Sequence, residues 1–194
     1  MPILETERLI LRRFALDDLD EIYHLVYADP AVKDSWSGVT GTPDEIRARF
    51  VERHIRTESD FCLHALALKD TGALIGQMGF QRHAPAAGAD IWYLQSKDEP
   101  NRSVGLDPGF IEVELTYALG RAYWKHGYSV EMGRALVTYG FDVLGIGRII
   151  QGVRRHNPNS VNLMRRLGFR IEIGLDPGAV VGILEPEHRS TAYG

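Results

Sequence analysis

The sequence predicts a mixed α/β fold in one domain, and three observations predict it. Helix starts carrying their own caps occur at Asp17 and at Thr42-Pro43-Asp44-Glu45. Apolar runs at 61–68 and 74–82 flank a glycine turn, and a strand, helix, strand succession occupies 110–153. With 194 residues the chain is long enough for one substantial domain and short for two. Its 44% apolar and 25% charged residues match packed, water-soluble proteins and exclude collagen-like, disordered and membrane-embedded classes.

Residues 7–14 (ERLILRRF) are rich in β-formers and read as a strand. Asp17 can then cap a helix in which Leu19, Ile22, Leu25 and Val26 recur at helical spacing; Asp29-Pro30 ends it near Ala28, because the residue before proline avoids the α region. Thr42-Pro43-Asp44-Glu45 combines an N-cap, a proline at the first helical position and a capping-box carboxylate, opening a helix through Ile46, Phe50 and Ile55. The runs 61–68 and 74–82 around Lys69-Asp70-Thr71-Gly72 form an antiparallel hairpin. Residues 83–109 hold Pro85, Gly88, Pro100, Gly105, Pro108 and Gly109 without a sustained period and read as a long loop, a class that is usually functional or disordered.

In 110–119 (FIEVELTYAL) apolar Ile111, Val113, Leu115, Tyr117 and Leu119 alternate with Glu112, Glu114 and Thr116, a half-buried strand with two carboxylates on its other face. Met132, Leu136, Tyr139 and Val143 keep helical spacing after Gly127, Arg148–Val153 is the next strand, and Asn157-Pro158 starts a helix ending at Leu167-Gly168. Residues 169–184 read as two short strands.

The formal net charge of −4 argues against whole-surface attraction to nucleic acid or anionic lipid, so any anion site is local. Cys62 is the single cysteine, which rules out an internal disulfide and a Cys-rich metal cluster and suits a reducing compartment. Glu5, Glu7, Arg8, Arg12 and Arg13 interrupt the apolar character a secretory signal needs, and no apolar run approaches the roughly 20 residues of a membrane helix. The expectation is a cytoplasmic protein with no membrane partner.

No GxxxxGK[ST], HExxH, GxSxG or paired CxxC occurs, and the histidines show no metal-ligand spacing. Cys62, inside an apolar strand, reads as a buried thiol rather than a nucleophile. The informative stretch is 114–129, where a strand turns into a helix at Gly127: the free N–H groups of a helix start attract anions, and glycine allows close approach to a pyrophosphate. The glycine taken alone reads more simply as the start of a helix in a tight connection. Arg148, Arg154, Arg155, Arg165, Arg166 and Arg170 crowd one acid-free stretch, which suits a phosphate-bearing ligand, an RNA backbone or a solvated basic face.

Four strings carry a resemblance. Thr6 to Arg12 (TERLILR), Glu114 to Tyr117 (ELTY), Trp124 to Glu131 (WKHGYSVE), and Asn157 to Ser160 with Leu167-Gly168-Phe169 resemble, in order, TERLxLR, EIGY, WGKGYATE and NxxS…LGF. They belong to the GNAT superfamily of acetyl-CoA-dependent N-acetyltransferases, in its RimJ/RimL-like branch, which acetylates ribosomal-protein N-termini. The resemblance spans about residues 3–184. It implies a single GNAT-like domain over 1–194 of the α/β (α+β) class: a splayed, mostly antiparallel mixed sheet with helices on both faces. It also implies acetyl-CoA as co-substrate, no metal, and an amine acceptor that is a small molecule or a protein N-terminus. The cofactor-binding residues implied are Leu119, Lys125, His126, Gly127, Tyr128, Ser129, Asn157 and Arg166, with Lys125–Ser129 around the pyrophosphate. The sequence departs from the pattern at Trp124, Lys125 and Ser129. Asn157 reads equally as a helix cap.

Acetyl transfer needs a neutral amine, hence a base, and a proton for the departing thiolate. Glu114 is the first candidate base and Glu112 the second, unless the two sit on a solvated face or pair with arginines of a neighbouring strand. The tyrosine that donates the proton in many relatives maps to Met164, which cannot donate, so Ser160 is the remaining match. The resemblance implies direct transfer in a ternary complex, consistent with the lack of a suitable thiol. Loop residues Trp92, Tyr93, Asp98, Glu99 and Arg102 are expected to border the acceptor groove. Two other readings stand beside the enzyme: a non-catalytic CoA sensor, and an RNA- or ribosome-associated binding protein using the arginines. Exposed sheet edges offer a route to a homodimer.

Overall fold

The structure, a computed structural model, describes residues 2–35, 40–82, 112–173 and 178–187. The elements are β1 (Pro2–Glu5), β2 (Leu9–Arg12), α1 (Leu19–Ile22), α2 (Pro30–Ser35), α3 (Pro43–Phe50), β3 (Leu63–Leu68), β4 (Leu74–Arg82), β5 (Glu112–Leu119), α4 (Tyr128–Asp142), β6 (Arg148–Arg154), α5 (Pro158–Arg166), β7 (Arg170–Ile173) and β8 (Ala179–Leu184). Eight strands form one open sheet in the order β1-β2-β3-β4-β5-β6-β8-β7. The β1/β2, β2/β3, β3/β4, β6/β8 and β7/β8 pairs are antiparallel, and β5/β6 is parallel. This mixed α/β, mostly antiparallel architecture is the one expected.

By contact the chain divides into two compact units. The first holds Met1–Gln81 and Thr116–Leu136, the second Arg82–Leu115 and Val137–Gly194. In the first unit Phe14, Ile22, Val26, Ile46, Phe50, Leu63, Ala65 and Leu74 form the core, with Trp124 packed against it. Phe14 and Phe50 meet edge to face, 4.8 Å between centroids, a geometry worth about 0.5–1.5 kcal/mol beyond the area buried. In the second unit Ile150, Val181 and Ile183 form a small cluster. Gly182 lets Met164 and Phe169 lie against β8: a Cβ there would stand 2.5 Å from the Met164 sulfur.

The strongest local signals are realised. Thr42 accepts from the Glu45 N–H and the Glu45 carboxylate from the Thr42 N–H, the reciprocal box that starts α3. The β3/β4 hairpin turns at Gly72, whose φ is 73°.

Four readings are corrected. The first helical turn has Ala15 rather than Asp17 at its cap, and Asp18 reaches back to it: the Asp18 carboxylate accepts from the Ala15 N–H at 2.7 Å and holds Arg12 by two bonds. Asp29-Pro30 ends one helix but also opens another, α2, with Asp29 accepting from the Ala31 N–H at 2.8 Å. Edge strand β1 went unread. On β5 the alternation holds for Glu112–Leu115 and then fails, because Thr116 is buried beside Gln81, to which its hydroxyl bonds at 3.1 Å. The loop at 83–109 lies outside the described residues.

Candidate active site

The first unit holds the turn that leads from β5 into α4. The Trp124 indole N–H donates to the Leu119 carbonyl at 2.8 Å, fastening the turn to the end of the strand. Lys125 and Gly127 then both take left-handed conformations, φ 66° and 82°, on either side of His126. Glycine accepts this freely, whereas a side chain there costs on the order of 1–3 kcal/mol. The Gly127 carbonyl accepts from the N–H groups of Val130 and Glu131, so the helix begins there and the preceding N–H groups have no helical partner. Lys125 and His126 are exposed, Tyr128 and Ser129 half-buried, and the His126 ring stacks on Tyr128. A turn of this kind, at the positive end of a fifteen-residue helix, can hold a phosphate-type anion.

In the second unit β5 and β6 run parallel from Glu112↔Arg148 to Glu114↔Ile150. Glu112 forms an ion pair with Arg148, whose side chain is 2% exposed. That removes Arg148 from the arginine-rich patch. Arg170 pairs with Glu172, while Arg154, Arg155, Arg165 and Arg166 are exposed. Glu114 differs from Glu112. Burial pushes its carboxyl above the usual range, only partly offset by a hydrogen bond from the Gly152 N–H. A carboxylate has about four acceptor sites, so one such bond leaves room for water or an amine.

Asn157 caps α5 through its side-chain oxygen, which accepts from the Ser160 N–H at 3.2 Å. Ser160 is half-buried in the first turn, and Arg166 lies exposed in the last turn, where its charge suits the helix C-terminus. Met164 is fully buried. In the first unit Cys62 is buried too, its thiol pushed up to about 11 by desolvation, so it is poorly suited to nucleophilic work. Among the described residues no group of three or more His, Cys, Asp or Glu is arranged to hold a metal, and no helix is long and apolar enough to cross a membrane.

The family model for the acetyltransferase (GNAT) domain matches residues 8–170, most of the chain. The protein belongs to the GNAT acetyltransferase family. This acetyltransferase is 28% identical over 175 residues to the uncharacterized N-acetyltransferase p20 of Bacillus licheniformis, covering 89% of its own length and 84% of that protein's. Its fold matches a putative ribosomal-protein-serine acetyltransferase from Vibrio cholerae (TM-score 0.66, 18% identity, 96% and 98% of the two chains). It matches equally a spermidine N-acetyltransferase from Vibrio cholerae in complex with CoA and spermine (TM-score 0.66, 16% identity, 94% and 98%). One fold at one level of likeness thus includes neighbours named for a protein and for a polyamine acceptor, so the fold alone does not choose the amine.

The first and third strings are joined by a contact that neither shows by itself. Thr6 and Arg8 of the first string bind Glu131, the last residue of the third, across 125 and 123 positions.

Proposed function

We propose that this acetyltransferase moves the acetyl group of acetyl-CoA directly to a primary amine, a small molecule or a peptide N-terminus, as a single catalytic domain in the cytoplasm. The observation that carries the reading is the turn before α4, with left-handed Lys125 and Gly127 at a helix start. The N–H groups of its helix start and the ammonium of exposed Lys125 fit the pyrophosphate of CoA. Acetyl-CoA supplies an activated thioester carbonyl. The family match across both units supports one catalytic domain.

On this reading Lys125, His126, Gly127, Tyr128 and Ser129 bind the pyrophosphate, with Leu119, Asn157 and Arg166 contributing further cofactor contacts. Glu114 takes the amine proton, directly or through water, because its raised affinity for protons brings it nearer to the ammonium it must deprotonate. Glu112 is committed to Arg148. Ser160 is the hydroxyl proposed to return a proton to the thiolate. Transfer without an acyl-enzyme is supported by the burial of the single thiol. The order of the four strings favours the RimJ/RimL-like branch and hence a peptide N-terminus.

Glu114→Gln tests the base. Glutamine still accepts from the Gly152 N–H, so the fold is expected to persist while turnover falls about a hundredfold or more. Unchanged turnover and an unchanged pH–rate profile would remove Glu114 from the mechanism.

A further inference from the structure

We infer that Thr6 and Arg8 are positioning residues that lock the turn before α4 in its anion-binding form, working through Glu131. The inference rests on the pyrophosphate reading of that turn for its purpose, though not for its geometry.

Arg8 touches the turn in three ways. One guanidinium N–H donates to the His126 carbonyl at 3.1 Å, others bind Glu131 at 2.7 and 2.6 Å, and the guanidinium carbon lies 4.7 Å from the Tyr128 ring centroid. The backbone N–H of Arg8 and the Thr6 hydroxyl bind the other Glu131 oxygen, at 2.9 and 2.6 Å. A single fork therefore ties the residue between the two left-handed positions to the first turn of the helix.

Peptide geometry makes this contact directional. In a trans peptide the carbonyl of one residue and the N–H of the next point opposite ways. Holding the His126 carbonyl therefore holds the direction of the Gly127 N–H. Lys125 pays a conformational strain that glycine would not, so the turn needs an external hold to stay in this form. Arg8 provides it from the position just before β2, and Thr6 adds a further hydrogen bond to the carboxylate.

Charge points the same way. A carboxylate in the first turn suits the helix dipole but repels an incoming phosphate. Burial raises the Glu131 carboxyl, yet the bonds from Thr6 and Arg8 outweigh it and hold Glu131 ionised. The ion pair with Arg8 cancels its field at the turn.

The test uses the full chain and variants Arg8→Ala, Arg8→Lys and Thr6→Val, all well below their melting temperatures. In ligand-free protein, amide order parameters at His126 and Gly127 are expected to fall from about 0.85 toward 0.6 in Arg8→Ala, with Leu11 unchanged as a control. Thr6→Val, which spares the guanidinium, is expected to move them in the same direction by less. Arg8→Lys is expected not to restore them, because an ammonium lacks the planar fork. Calorimetry with CoA is then expected to show affinity lowered about tenfold or more in Arg8→Ala. Unchanged order parameters in both Arg8→Ala and Thr6→Val, or wild-type CoA affinity in Arg8→Ala, would overturn the inference. Failure of the unmodified protein to bind CoA would instead sink the pyrophosphate reading, and the order parameters alone would then decide the clamp.

Discussion

Glu112→Ala should cost this protein far more stability than a surface carboxylate would. The Arg148 side chain is 2% exposed and that of Glu112 15%, so the pair lies out of water. Removing the carboxylate takes an acidic partner from a buried guanidinium, a loss on the scale of the roughly 3–5 kcal/mol of breaking a buried ion pair. That is a large share of the roughly 5–15 kcal/mol that holds a domain folded. Replacing both partners by apolar side chains of similar volume, Glu112→Leu with Arg148→Met, removes both buried charges and should recover most of that loss. The assay is urea unfolding at pH 7.5 of the unmodified chain, Glu112→Ala, Glu112→Leu, Arg148→Met and the double variant, the last three read with the unmodified chain as a thermodynamic cycle. A loss below about 1 kcal/mol in Glu112→Ala, or a double variant as poor as the summed singles, would refute the reasoning. The cycle also separates the two carboxylates, since a lower activity in Glu112→Ala is expected to track lost folding, whereas Glu114→Gln keeps its fold.

Two further expectations concern pH and the strained turn. Burial holds His54 and His64 neutral, each lowered to about 4, so between about pH 6.5 and 4 the unfolded chain binds more protons than the folded one and stability falls as pH drops. The loss is on the order of 3 kcal/mol per histidine; urea midpoints at pH 7.5 and 5 should differ clearly, His64→Leu should flatten the dependence, and equal midpoints in the unmodified chain would contradict the burial argument. Lys125→Gly places the residue that tolerates φ 66° where a side chain is strained, and should raise stability by about 1 kcal/mol, a melting shift of roughly 2–4 °C. A lower melting temperature would show that the lysine is not strained there.

Much of the fold was legible because it is written in short-range patterns. The Thr42–Glu45 box, the turn at Gly72 and the proline-led α5 are decided by neighbours within four residues. Long-range pairings were legible only as a class: the sequence allows Glu112 or Glu114 to pair with an arginine of a neighbouring strand but does not say which. Alternation on β5 marks Glu112 and Glu114 as face-mates, but only the β5/β6 register brings Glu112 to Arg148 and the Glu114 carboxylate to the Gly152 N–H. For the same reason Arg148 looked like part of a phosphate-seeking cluster when it is the buried half of an ion pair. The site was legible in part: Gly127 announced the helix start, but not that Lys125 shares its left-handed conformation, nor that Arg8 reaches across from just before β2. Asp17 and Asp18 both suit the first helical turn, and which of them reaches back to Ala15 depends on where Arg12 places its guanidinium.

Acetyl transfer is tested by incubating the protein with acetyl-CoA and a panel of peptides and small amines, following free thiol while mass spectrometry follows the acceptor. The expected result is thiol release that depends on an acceptor, matched one for one by an acetyl group on its primary amine. CoA binding without transfer to any member of a panel of N-terminal peptides, polyamines and other small amines would contradict it and leave a cofactor-binding module on this fold.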